Sequence, residues 1–291
     1  MEILTSWFAE YQRALPWRNP PRDPWAVLVS EVMLQQTPVN RVLPAWQKWL
    51  ARWPTPSDLA SEPAGEAVVM WGRLGYPRRA LRLHAAATEI RDRHQGVLPT
   101  DHATLLSLPG VGDYTAAAII AFAYRRRIAV LDTNVRRVLA RVWHGRAYPK
   151  TGSATQAERD ELSAALPPSG EAAAVLSEAI MELGALVCTA RNPACEECPL
   201  NRSCAWFAAG RPENAAPPTR QAPFAGSDRE VRGRILQLVR STPAGVLQAE
   251  IDLVWPNATQ LKRAQTSLLA DGLLVTDTAG RYALPGAGSA R

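Results

Sequence analysis

Two carboxylic acids and four thiols are the groups in this 291-residue chain whose types and positions could do chemistry. Glu31 interrupts an apolar row that runs from Trp25 to Leu34, in which Val27, Leu28, Val32 and Leu34 cover most of a helix circumference. That pattern places Glu31 at a partly apolar site. A carboxyl there holds its proton to higher pH and can donate it near neutrality. The alternative is a solvated carboxylate on a surface face. Asp132 follows the apolar Val130-Leu131 pair and precedes the basic segment Thr133 to Arg137. It reads as the N-cap of a helix, and equally as a fixed negative charge at that helix start.

All four cysteines, Cys188, Cys195, Cys198 and Cys204, fall within seventeen residues, with gaps of six, two and five. A disulfide framework does not suit an intracellular chain of this length, so four thiols in one loop point to a metal site. The choice lies between Zn²⁺ and a [4Fe–4S] cluster, and the uneven gaps depart from two matched Cys-x2-Cys knuckles.

A turn must position these groups. In Leu108-Pro109-Gly110-Val111-Gly112 the proline removes a donor and the glycines allow a sharp bend, after which Tyr114 to Phe122 supplies helix formers and an apolar stripe. Backbone amides at that helix start have no partner within the helix, and they suit a DNA phosphate without reading a base. The plain alternative is a helix–turn–helix corner in an all-α core. With 33 Lys plus Arg against 27 Asp plus Glu, the net charge of +6 favours a polyanionic partner.

Further helices are expected over residues 3–14, 41–52, 63–72, 78–94, 102–107, 155–166 and 171–187, without an alternating strand in the first two hundred residues. Trp46, Trp49, Trp53 and Trp71 recur at helical spacing and read as core. Arg78, Arg79 and Arg82 read as a basic cluster able to track phosphates, or as a solvated face. No apolar run reaches membrane-spanning length and no signal-peptide layout is present, which reads as a soluble cytoplasmic protein, nucleoid-associated if bacterial.

Together, LPGVG, an Asp twenty residues later and Cys-x6-Cys-x2-Cys-x5-Cys resemble the helix–hairpin–helix DNA glycosylase superfamily with a [4Fe–4S] cluster. The segments SEVMLQQT at 30–37 and VLDTNVRRVLAR at 130–141 look most like its MutY-type adenine glycosylases. The likeness covers about residues 5–207. It implies an all-α, two-lobed catalytic region over 1–207, with a six-helix lobe at about 23–125 and a cluster lobe made of 1–22 plus 126–207. The implied activity is monofunctional removal of adenine mispaired with 8-oxoguanine or guanine in double-stranded DNA, by a monomer.

On that resemblance Glu31 protonates the extruded base, and Asp132, kept ionised by helix amides, stabilises the sugar cation, while Asn134 orients it. Gln36 is the wedge. Arg18, Tyr114 and Glu178 line the site, and Leu108, Gly110, Val111 and Gly112 grip the backbone. Cys188, Cys195, Cys198 and Cys204 hold the cluster, with Arg191 and Arg202 facing phosphate. Tyr114 stands where strand-cleaving relatives have a Schiff-base lysine, and a phenol forms no imine. Two other readings stand beside this one: a thymine-mismatch glycosylase, or a non-catalytic iron–sulfur DNA-binding or regulatory protein.

Two departures matter. Pro77 occupies a position where the family has an aromatic, and the Nudix-like C-terminal domain typical of the family is not readable here. Instead a Pro/Ala-rich linker at 208–226 leads to residues 227–285. There a capping box at Ser227 and Glu230 opens the first of three helices, and a hairpin follows around 277–280, a winged-helix-like pattern. Lys262, Arg263 and Arg281 either grip DNA, or the module packs on the catalytic region.

Overall fold

A computed structural model describes residues 2–213 and 223–286. Residues 214–222 of the expected linker lie outside the described residues. The helices, in order, are α1 (Glu2–Tyr11), α2 (Pro24–Leu34), α3 (Val39–Arg52), α4 (Pro56–Ala60), α5 (Ala64–Trp71), α6 (Arg78–His94) and α7 (His102–Ser107). Then come α8 (Asp113–Ala118), which runs into a π turn at Ile119–Ala123, α9 (Thr133–Val142), α10 (Gln156–Ala165), α11 (Gly170–Leu186) and α12 (Ala205–Ala208). The C-terminal part holds α13 (Asp228–Ser241), α14 (Gln248–Asp252), α15 (Ala258–Ala270) and the antiparallel strands β1 (Val275–Thr276) and β2 (Tyr282–Ala283).

The described residues form two compact units, 2–28 with 100–107 and 111–213, and 29–99 with 108–110 and 223–286. In the first, α1, α9 and α11 bury one core through Leu4, Phe8, Val135, Val138, Leu139, Leu176, Ala179 and Leu183. These recur every three or four residues, which keeps each helix's apolar stripe on one side. Residues 23–28, 100–107 and 111–125 fall in this unit, whereas the resemblance implied the six-helix lobe for all of 23–125. The physical reason is a second cluster in which Ala117, Ala118, Ala121 and Phe122 pack with Val27 and Val130.

The second unit is centred on tryptophan. Trp49 lies edge-on to Trp53 and Trp71, with centroids 4.7 and 5.8 Å apart, the offset geometry that ring quadrupoles favour. The core reading of these residues holds. Short α4 was not expected; Thr55 caps it reciprocally with Asp58.

The C-terminal residues pack within this same unit. The Gly65 amide donates to the Pro285 carbonyl at 2.7 Å, Arg78 pairs with Asp271 at 3.1 Å, and Arg73 donates to Gln237 at 3.1 Å. Val246 exchanges two backbone bonds with Tyr282, adding a bridge beside the β1–β2 pair. The expected box at Ser227 is not formed: its hydroxyl donates to the Phe224 carbonyl, and Glu230 accepts from the Gly226 amide one residue earlier. Arg263 forms a two-pronged pair with Asp228, and Arg281 donates to the Gly245 carbonyl, so both are committed inside the module.

Glu182, on α11, is fully buried and accepts from Arg13 at 2.8 Å and Arg18 at 2.9 Å. Burial alone would lift this carboxyl, but the bonds from the two guanidinium groups outweigh it and hold its pKa at about 2. A depressed carboxylate contributes stability above its ordinary pKa of 4.5, and that contribution is lost as pH falls from there towards 2. Glu182→Gln is therefore expected to lower unfolding free energy by about 3 kcal/mol at neutral pH. The deficit should shrink between pH 4.5 and 2 when followed by urea titration.

Candidate active site and cluster loop

Residues Trp25 to Met33 of α2 are buried without interruption. A helix apolar on all sides leaves no face for water, so Glu31 is 6% exposed, as the apolar row suggested. Five residues later the helix has ended, and Gln36 is exposed with a left-handed φ of 55°. The side chain named as the wedge is thus presented outward on a strained backbone.

In the other unit, Asp132 caps α9. One carboxylate oxygen accepts from the Val135 amide at 2.6 Å and the other from the Asn134 side-chain amide at 2.9 Å. Asn134 is itself fixed, because its side-chain oxygen accepts from Arg137 at 2.8 Å. The capping and orienting expectations are met in one arrangement. The helix amides do not set its pKa alone: burial pushes the Asp132 pKa above its ordinary value, more than the Val135 amide, the Arg137 charge and Asn134 pull it down. Helix amides alone do not overcome the loss of water around the charge.

Gly110 has φ 79°, and a Cβ there would lie 2.7 Å from Arg82 Cβ, so the turn needs glycine. At Gly112, the N-cap of α8, a Cβ would meet nothing within 4 Å, so space alone does not demand glycine there. Leu108 and Val111 are buried, 2% and 7% exposed, so their side chains anchor the turn and only their backbone could meet a phosphate. Tyr114 packs, half-buried, against the cluster around Ala117.

Two residues expected to line the site are held in ion pairs. Glu178 is buried and bonded to Arg22 at 2.5 Å and Arg125 at 3.1 Å, and Arg18 is held by Glu182. Both follow from the cost of leaving a buried charge unpaired. The basic segment after Asp132 turns its arginines inward. Arg136, Arg137 and Arg141 are buried, and the latter two cap carbonyls: Arg137 binds those of Gly184 and Cys188, and Arg141 those of Ala147, Thr189 and Ala190. Sequence reasoning missed Arg137 and Arg141 because their partners lie some fifty residues away.

The four cysteines line one pocket together with Arg141, Leu183, Val187 and Trp206. Arg141 donates to Cys188 Sγ at 3.3 Å and its guanidinium lies 4.5 Å from the Trp206 ring. Among the described residues, no three His, Cys, Asp or Glu side chains are drawn together to hold a metal ion. Four thiols around an apolar pocket, with a guanidinium against one sulfur, fit a larger anionic group such as a [4Fe–4S] cluster. Cys188, Cys195, Cys198 and Cys204 would hold that group, which would cross-link the loop. Arg191 and Arg202 are exposed on this loop.

Cys198→Ser is expected to remove the visible absorbance of the purified protein and to lower its iron content well below four per chain by elemental analysis. Asn134→Leu removes a bond that favours the ionised carboxyl, so the Asp132 titration followed by carbon NMR should move further up.

A profile of the "HhH-GPD superfamily base excision DNA repair protein" matches residues 29–164, and one of the "Iron-sulfur binding domain of endonuclease III" matches residues 188–204. The adenine DNA glycosylase of Mycobacterium tuberculosis is 51% identical over 286 residues, covering 98% of this chain and 93% of its own. That of Mycolicibacterium smegmatis is 47% identical over the same length, covering 98% and 96%. The solved structure of a thermostable thymine-DNA glycosylase superposes with a TM-score of 0.65 at 26% identity, covering 72% of this chain and 94% of that one. With two carboxyl groups held by α2 and α9, a glycine turn between them in sequence and a four-cysteine loop at its end, this chain belongs to the adenine DNA glycosylase family within the HhH-GPD superfamily.

Proposed function

We propose that this chain excises adenine mispaired with 8-oxoguanine or guanine from double-stranded DNA by hydrolysing the N-glycosidic bond, without cutting the strand. The observation that carries this reading is the Asp132 carboxylate at the start of α9, oriented by the Val135 amide and by Asn134, which Arg137 holds in turn. Bond cleavage makes the sugar cation-like and the departing base anionic. A fixed carboxylate answers the first charge and a protonated carboxylic acid the second. Asp132 takes the former role and Glu31, buried in α2, the latter. The base must first leave the duplex, and phosphate contacts at the turn 108–112 and at Arg191 and Arg202 offset the unstacking. Tyr114 supplies no amine, which supports hydrolysis without strand cleavage.

The thymine-mismatch alternative has the weaker support, because the relatives similar over nearly the whole chain are adenine enzymes while the thymine enzyme is 26% identical. The non-catalytic alternative is disfavoured by the joint presence of Glu31, Asp132 and Asn134 in ordered positions. The protein acts as a monomer in this reading. Among the described residues no helix is long and apolar enough to cross a membrane.

Purified protein incubated with duplexes carrying adenine opposite 8-oxoguanine, guanine, cytosine or thymine, then treated with alkali, should yield a cut at adenine in the first two. Asp132→Asn and Glu31→Gln should each slow single-turnover excision by at least about a hundredfold. No cut in any duplex sinks the proposal, and a cut before alkali sinks the monofunctional part. Since Asp132 acts ionised and its pKa is raised, the rate should fall on the acid side at a pH above the ordinary 3.8.

A further inference from the structure

Arg79 was read from sequence as one of three surface arginines, yet it is 7% exposed. Its NH1 donates to the carbonyls of Val32 at 2.9 Å, Met33 at 3.1 Å and Gln35 at 2.6 Å. Its NH2 donates to Thr37 Oγ1 at 2.9 Å and to the Gly75 carbonyl at 3.0 Å. None of these acceptors is a carboxylate, and the guanidinium lies 5.2 Å from the Trp71 ring and 5.4 Å from the Tyr76 ring. Its Nε is buried with no partner. Burial lowers its pKa to about 10, so it stays cationic at neutral pH.

For stability alone this is a poor use of an interior position: among the described residues the charge has no carboxylate bonded to it and one donor is unsatisfied. The geometry of what it holds explains it. Val32 and Met33 belong to the last turn of α2, whose carbonyls have no helical partner. Gln35 and Thr37 flank Gln36, a non-glycine residue at φ 55°. Gly75 precedes Tyr76, another at φ 48°, 43% exposed. Such residues keep strained backbones only where their surroundings over-determine them. One buried cation is common to both.

We infer that Arg79 is a positioning residue that fixes two exposed loops, 35–37 and 75–77, against each other and against the end of the helix carrying Glu31, so that both meet DNA already shaped. This rests on the glycosylase reading, so its test includes a measurement on the DNA-free protein. Arg79→Lys keeps the charge, but one ammonium cannot span five acceptors in a helix end and two loops. Thr37→Val removes one acceptor of Arg79, and with it the bond the Thr37 hydroxyl donates to the Leu74 carbonyl at 3.3 Å, at nearly constant shape, and is the variant to rely on if Arg79→Lys folds poorly.

In the full chain without DNA, Arg79→Lys should speed hydrogen exchange of amides in 35–37 and 75–77 by about tenfold or more, leaving 131–142 unchanged. With adenine opposite 8-oxoguanine, single-turnover excision should slow by about tenfold or more while the acid limb of its pH profile stays in place. Thr37→Val should show a smaller exchange effect in the same two loops, largest in 35–37. Unchanged exchange in both loops overturns the inference, as does a uniform increase through the unit, which marks a merely structural role. If wild type excises no adenine, the glycosylase reading fails while the exchange result still decides whether Arg79 sets the loops.

Discussion

Guanidinium groups buried against backbone carbonyls are what the functional loops of this protein hang on. A buried carbonyl left without a donor costs about 1–3 kcal/mol, and helix ends and tight loops expose several at once. Arg79 takes up those at the end of α2, and Arg137 and Arg141 take up those from Gly184 to Ala190, where α11 ends and the cluster loop begins. A planar cation with five N–H donors satisfies several carbonyls from one point, which a lysine or an amide cannot do. Ends of elements whose carbonyls would otherwise lack donors are bonded, and beside those ends stand Gln36 and Cys188.

The same chemistry sets the character of Asp132. Its oxygens receive an N-cap bond and the amide of Asn134, and Arg137 lies behind Asn134, yet lost hydration dominates and the carboxyl titrates high. Glu182 shows the opposite balance, because two guanidinium groups bond it directly. The contrast is one of distance and donor number: hydrogen-bonded cations outweigh burial, whereas a cation one residue removed does not. A carboxylate that is oriented but incompletely neutralised is suited to meeting a positive charge that appears only during reaction.

The C-terminal residues extend this logic to the surface of their unit. Gly65 meets Pro285 so closely that a Cβ would lie 2.7 Å from the carbonyl oxygen, and Arg78, at the start of α6, is tied to Asp271. The segment 75–78 is therefore braced on one side by Arg79 and on the other by the module. Pro77 suits this bracing, since its fixed φ starts α6 without needing a donor.

The amino-acid sequence by itself determined the helical class, the tryptophan core, the buried site of Glu31, the capping role of Asp132 and the cysteine loop. All of these are written in local spacing, which the chain expresses wherever it folds. Tertiary structure alone decided which charges are spoken for: that Arg79, Arg137 and Arg141 face inward, that Arg18 and Glu178 are held in ion pairs, and that residues 111–125 join the cluster-bearing unit. Hydropathy counts an arginine as solvent-seeking, and only the carbonyls brought to it by distant segments make its burial favourable.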